Sequence, residues 1–198
     1  MIKSGLKILL LIFVAAGFSC TSDEGPSLLG FSDETGKAVE LIKSANEDLK
    51  EIKKLYKANE SGVEDIKLAM KEQNVDEVKK IANAGVDAIN KGMALGKTAV
   101  EKLNRAERMK INKNFKDYID LKEKSLRKLM EAFEIRRQLA VTLRNGYDPE
   151  DDKQRELITN EFKEQDDKFK EIMDEAREAS RKANDLAKEA TQEQLNDQ

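Results

Sequence analysis

From Val75 to Ala106 the residues Val75, Val78, Ala82, Gly85, Ile89, Gly92, Gly96, Ala99, Leu103 and Ala106 follow one another at steps of three and four without a gap. A seam of that period lies along one face of an α-helix. It cannot lie on one face of a strand, where the period is two. The pattern governs the whole chain after Thr35. Ile42, Ala45, Leu49, Ile52 and Tyr56 lead past an out-of-character Asn59 to Val63, Ile66 and Met70, which predicts one helix from about Glu34 to Glu72. Gly62 lowers helix propensity there, so the helix is expected to loosen at Asn59-Glu60-Ser61-Gly62. A third series holds Leu126, Leu129, Met130, Phe133, Ala140 and Leu143. A fourth holds Ile158, Phe162, Gln165, Phe169, Ile172, Ala176, Ala179, Ala183, Leu186 and Ala190. The expected fold class is all-α, an elongated antiparallel bundle of four helices running up-down-up-down.

The boundaries are marked unevenly. Asn74 can cap the second helix, with Glu77 three residues on to complete a capping box. Between Ala106 and Asn114 the apolar phase fails, since extrapolation lands on Lys110 and Lys113 while the next apolar residues are Met109, Ile111, Phe115, Tyr118 and Ile119. A turn there gives four helices. A bend gives three, with a central one of about 70 residues and roughly 105 Å. The turn is preferred, although no Gly or Pro marks it. In Asn145-Gly-Tyr-Asp-Pro-Glu-Asp-Asp152, Gly146 reads as a left-handed helix terminator, Asp148 as an N-cap and Pro149 as a first-turn residue, with Glu150 to Asp152 favouring the next helix dipole.

Composition narrows the chemistry. The 198 residues include no histidine. Ser-His-Asp and Cys-His catalysis, histidine-bearing zinc sites and the Glu-x-x-His di-iron motif are therefore excluded. No cofactor, no metal and no enzymatic activity are expected. The acids of the last helix, Asp166 and Asp167 among them, read as its solvated face.

The first twenty residues have a different character. Lys3 and Lys7 precede a continuous apolar run from Ile8 to Ala16, and small residues follow, as in a secretory signal peptide. Counted through Phe18 the run has eleven residues, against about 20 for a membrane-spanning helix. Gly17-Phe18-Ser19-Cys20, directly after the run, resembles the lipobox of bacterial lipoproteins, and Cys20 is the only cysteine. The resemblance implies that Cys20 is lipidated and becomes the mature N-terminus. The alternative is an ordinary signal peptide cut after Ala16 or Gly17, which leaves Cys20 as a free thiol or in an intermolecular disulfide. The expected organisation is a lipoprotein signal peptide over 1–19, the lipidated cysteine and a flexible tether over 20–34, a helical bundle over 35–193 and a disordered tail over 194–198. The acidic Ser22-Asp23-Glu24-Gly25 is similar to surface-export signals of some Gram-negative lipoproteins, and reads equally as a solvated spacer.

Three stretches resemble binding motifs. Gly92 to Thr98 (GMALGKT) has only three residues between its last two glycines where a phosphate loop has four, and it continues a helical seam. Gly85, Gly92 and Gly96 are expected instead to admit a neighbouring helix, with the alanine stripe Ala176 to Ala190 as the partner. A narrow ligand groove lined by small residues is the alternative. Asp148, Glu150 and Asp152 alternate like a calcium loop, but Lys153 replaces the turn glycine and Thr159 the bidentate glutamate, so capping is the reading. Finally, Lys97 to Arg144 holds 14 basic and 7 acidic residues, whereas Tyr147 to Gln198 holds 9 basic and 17 acidic. The basic third helix is expected to lie beside the acidic fourth. Lys110, Lys113 and Lys116, or Arg136 and Arg137, are the candidates for a polyanion contact.

The function expected from these features is that of a lipid-anchored cell-envelope protein, outside the cytoplasm at the outer membrane or cell surface, acting as a non-catalytic helical interaction or spacer module. Its partners are the membrane, through the lipid, and an envelope protein or cell-wall polymer. Nucleic acid is not expected, and seams of this kind also support homo-oligomers. A holdase-like envelope chaperone and an extracytoplasmic ligand-binding or surface-adhesin domain are the alternatives.

Overall fold

The computed structural model of the protein describes residues 33–58 and 61–196. The signal peptide, Cys20 and nearly all of the tether lie outside the described residues. Five helices fill the span: α1 (Asp33–Ala58), α2 (Gly62–Lys71), α3 (Val75–Glu107), α4 (Lys113–Gly146) and α5 (Asp152–Asn196). The fold is an all-α helical bundle. α5 takes in Gln194 to Asn196, residues expected in the tail. The first seam, expected as one helix, is divided into α1 and α2 across the stretch where Asn59 interrupts it and Gly62 weakens it.

The direction of each helix follows from the bonds between them. Lys102 of α3 pairs with Asp48 of α1 at 2.6 Å. Lys110, just past α3, donates its backbone N–H to the Glu34 carboxylate at the start of α1. Tyr147, just past α4, donates its hydroxyl hydrogen to the Met70 carbonyl of α2 at 2.9 Å. Positions on α4 descend as those on α5 rise, through Thr142 with Glu161, Arg136 with Asp166, Lys128 with Glu175 and Lys122 with Asn184. α1 and α2 both pack on α3, α3 packs on α4 and α4 on α5, so that α3 and α4 are the inner pair. Neither α1 nor α5 brings its backbone within 8 Å of the other among the described residues.

The buried residues follow the seams. On α3, Val78, Ala82, Gly92, Gly96, Ala99, Leu103 and Ala106 are buried. Ile42, Leu103, Phe115, Ile119 and Leu126 form the heart of the core beside the α3–α4 turn. Val78, Leu143, Tyr147 and Ile158 form a second cluster at the opposite end, where burial pushes the Tyr147 phenol pKa up. Ile135, Phe169, Ile172 and Met173 join α4 to α5. Each of these large side chains contributes roughly 1.5–3 kcal/mol by leaving water.

The turns hold the main corrections to the boundaries. Residues 108–112 turn the chain between α3 and α4, which removes the three-helix alternative. The signal is Asn112, whose side chain accepts the Phe115 N–H at 2.8 Å and caps α4. At the α2–α3 turn Asn74 accepts the Glu77 N–H at 3.1 Å. The reciprocal half of the capping box does not form, because the Asn74 N–H goes to the Ala69 carbonyl and the Glu77 carboxylate goes to Lys80. Gln73 sits there at φ 56°, a left-handed position that glycine usually takes. Gly146, by contrast, is the last residue of α4 and has no positive φ. Nor is Asp148 the cap of α5, since that part falls to Asp151, whose Oδ1 accepts the N–H groups of Lys153 and Gln154. Asp148 instead accepts the Glu150 N–H within the turn.

Candidate functional site

The small-residue face of α3 does two different things along its length. A Cβ placed on Gly96 would lie 2.8 Å from the Met130 sulfur of α4, and one on Gly92 would lie 3.9 Å from the Phe133 ring. These glycines admit α4, as close approach requires. The alanine stripe expected to fill the gap packs elsewhere. Ser125 of α4 donates its hydroxyl hydrogen to the Ala176 carbonyl at 2.8 Å, so Ala176 sits beneath α4 on the side away from α3. Two small faces thus bracket one helix, and larger α4 side chains fill the glycine gaps where alanines would leave voids.

Gly85 is different, because a Cβ there would meet nothing within 4 Å. It lies on the wall of a cavity of about 360 Å³ with Ile52 and Tyr56 of α1, Ile66 of α2, Ala88 of α3, Phe133 and Leu143 of α4, and Phe162 and Phe169 of α5. The Tyr56 and Phe133 rings stack across it with centroids 6.2 Å apart. The lining is apolar but for a few groups, among them Arg136 and, at the mouth, Lys80 and Asp65. That is the usual make-up of a small-molecule site, at the small end of the size range.

Arg136 and Arg137, adjacent in sequence, are separated in space from the other candidate cations. Arg136 pairs with Asp166 at 2.7 Å, and its guanidinium lies 4.1 Å from the centre of the Phe169 ring. Asp166, on the same face of α5 as Phe162 and Phe169, is only 5% exposed and also holds Lys170 at 2.8 Å. The expectation that Asp166 lies on the solvated face is therefore wrong. Its register one turn from Phe162 and Phe169 turns it inward, and the arginine on α4 neutralises it there. Arg137 forms a bidentate pair with Glu134 of its own helix, which holds the Glu134 carboxyl below its usual range. Neither arginine joins the lysines.

Lys110, Lys113 and Lys116 are brought together by the α3–α4 turn, and all three are exposed. Arg105 and Arg108, which sequence reasoning missed, stand on the same turn and are exposed too. From Arg105 to Lys116 there are five basic residues and one acid, Glu107. Arg105, Arg108, Lys113 and Lys116 make no ion pair with a described residue. The expected pairing of the basic helix with the acidic one does occur farther along α4, through Arg136 with Asp166 and Lys128 with Glu175. Two features could have shown the turn earlier: the density of charge within twelve residues and the capping Asn112.

Asp148, Glu150 and Asp152 stay in the α4–α5 connection, where their hydrogen bonds are those of turn and helix start. Among the described residues no helix is long and apolar enough to cross a membrane. Comparison of the chain with protein-family models, with curated proteins and with solved structures finds no match.

Proposed function

We propose that this chain is a bacterial envelope lipoprotein, anchored through Cys20, whose helical bundle works as a non-catalytic interaction module outside the cytoplasm. The observation that carries the reading is the Gly17-Phe18-Ser19-Cys20 sequence after the apolar run, with the only cysteine of the chain where acylation requires it. Acyl chains contribute about 0.8 kcal/mol per buried CH2, so two or three hold a polar domain at a bilayer without a spanning helix. The absence of histidine from the sequence supports a binding role over acid–base or metal chemistry. Metabolic labelling with a fatty acid tests the anchor: the wild-type chain takes up label and the Cys20→Ala chain does not. Equal labelling of the two overturns the reading.

A second reading, binding of a small apolar ligand, is favoured by the cavity beside Gly85. An environment-sensitive apolar fluorophore is expected to bind with saturation, and Gly85→Leu, which takes up part of the cavity, is expected to weaken the binding. Undiminished binding to the Leu variant removes this reading and leaves the first standing.

A further inference from the structure

We propose that the α3–α4 turn, with Arg105, Arg108, Lys110, Lys113 and Lys116, is a docking surface for the anionic phospholipid headgroups of the bilayer that carries Cys20. The proposal rests on the anchoring reading above, and three observations on the bundle point to it.

The first is position. The Lys110 amide is bonded to Glu34, so the basic turn stands at the end of the bundle where the chain enters from its N-terminus. Twelve residues separate Cys20 from Asp33, and twelve residues reach at most roughly 43 Å. The opposite end lies a further 50 Å or so away, the length of α3. Of the two ends, the anchor keeps the basic one near the membrane.

The second is charge. The turn presents its five cations to solvent with Glu107 as the sole acid among them. Glu34, at the start of α1, accepts a hydrogen bond from the Lys110 backbone amide. An anionic leaflet attracts such a cluster, and the attraction fades within a Debye length of about 8 Å at physiological salt. A tether of this reach raises the local concentration of the cluster at the leaflet, so that a contact of so short a range can form.

The third is that two of the charges, Lys113 and Lys116, sit where the fold gains nothing from them. α4 opens on Lys113 and Lys116 with no acid in its first turn, although cations at a helix N-terminus oppose its dipole. A local rule broken without a compensating contact marks a place where function is to be sought.

Vesicle partitioning of the full chain supplies the test, with phosphatidylcholine vesicles made with and without phosphatidylglycerol and with the Cys20→Ala chain run in parallel. The phosphatidylglycerol is expected to raise partitioning in a salt-sensitive way. Lys113→Gln with Lys116→Gln is expected to lower that increment about 25-fold, at about fivefold per lysine, while thermal stability holds or rises because the dipole is no longer opposed. The Cys20→Ala chain loses the part of the binding that is independent of lipid charge and keeps the increment. An increment that is absent, or unchanged in the double variant, overturns the proposal whatever Cys20 does. Equal charge-independent binding by the two Cys20 forms overturns the anchoring reading alone. Binding to heparin that the two substitutions abolish, with no effect of vesicle charge, also overturns the proposal by assigning the turn to a soluble polyanion.

Discussion

At Gly85 and Gly96 the same residue type, eleven positions apart on one helix face, carries opposite consequences. Gly85 faces open space, so Gly85→Ala is expected to stabilise the protein by about 0.5–1 kcal/mol, the cost of glycine in a helix interior. Gly96 faces Met130 at a distance no real Cβ tolerates, so Gly96→Ala must move that side chain and is expected to give no such gain. Chemical denaturation of the two variants checks the contrast. Gln73 makes the reverse case. Its φ of 56° is strained for any side chain, and Gln73→Gly is expected to raise stability by up to about 1 kcal/mol. A loss in the same measurement would show that the turn depends on the Gln side chain. The glycine seam was readable as a helix face, but which glycine meets a side chain and which meets a void depends on how α4 crosses it. Periodicity along one helix carries no information on that crossing.

The α4–α5 pair rests on a buried ion pair as well as on apolar packing. Removing Asp166 leaves the Arg136 guanidinium largely buried against Phe169 without its carboxylate. Asp166→Ala is expected to cost about 3–5 kcal/mol, while replacing both residues by leucine costs far less, because no uncompensated charge remains. If the double variant proved as unstable as the single one, the pair itself would be the stabilising element. Two acids with lowered pKa values bear on the pH profile of stability. Arg137 holds the Glu134 carboxyl below its usual range, and Arg181 does the same for Glu178. A depressed acid stabilises the fold above its unfolded pKa, near 4.5, and loses that contribution as pH falls through its folded value. The stability gap between wild type and Glu134→Gln is therefore expected to be small at neutral pH, as befits a partly exposed pair, and to close in acid. Measuring the gap at neutral and acidic pH checks the sign. At the element scale the sequence was most legible where apolar residues alternate at three and four, and least legible at the ends. Asn112 caps α4 with no glycine or proline to announce it, and Asp151 caps α5 three residues beyond the Asp148 that precedes Pro149. Gly146 and Asp148, which carry the conventional signals, do neither job. Asp166 was misread because its charge was weighed without its register relative to Phe162 and Phe169.

As a whole molecule the protein has two unlike ends. One holds the entry of the chain, the core around Phe115 and Ile119, and the basic turn. The other holds α2, the second core cluster and the exposed leucines Leu68 and Leu157, at 55% and 67%, with the apolar cavity between it and the middle of the bundle. On the anchoring reading the first end faces the bilayer and the second projects toward whatever the module meets. The fold class followed from one period in the sequence, but this polarity did not. It depends on Lys110 meeting Glu34 across 76 positions of chain, which no local pattern encodes. The anchor on which the whole account turns is best tested by the intact mass of the protein extracted from bacterial membranes. The account predicts a chain that begins at Cys20 and carries a diacylglyceryl group on its sulfur. A chain that begins elsewhere, with the thiol of Cys20 unmodified, would contradict it.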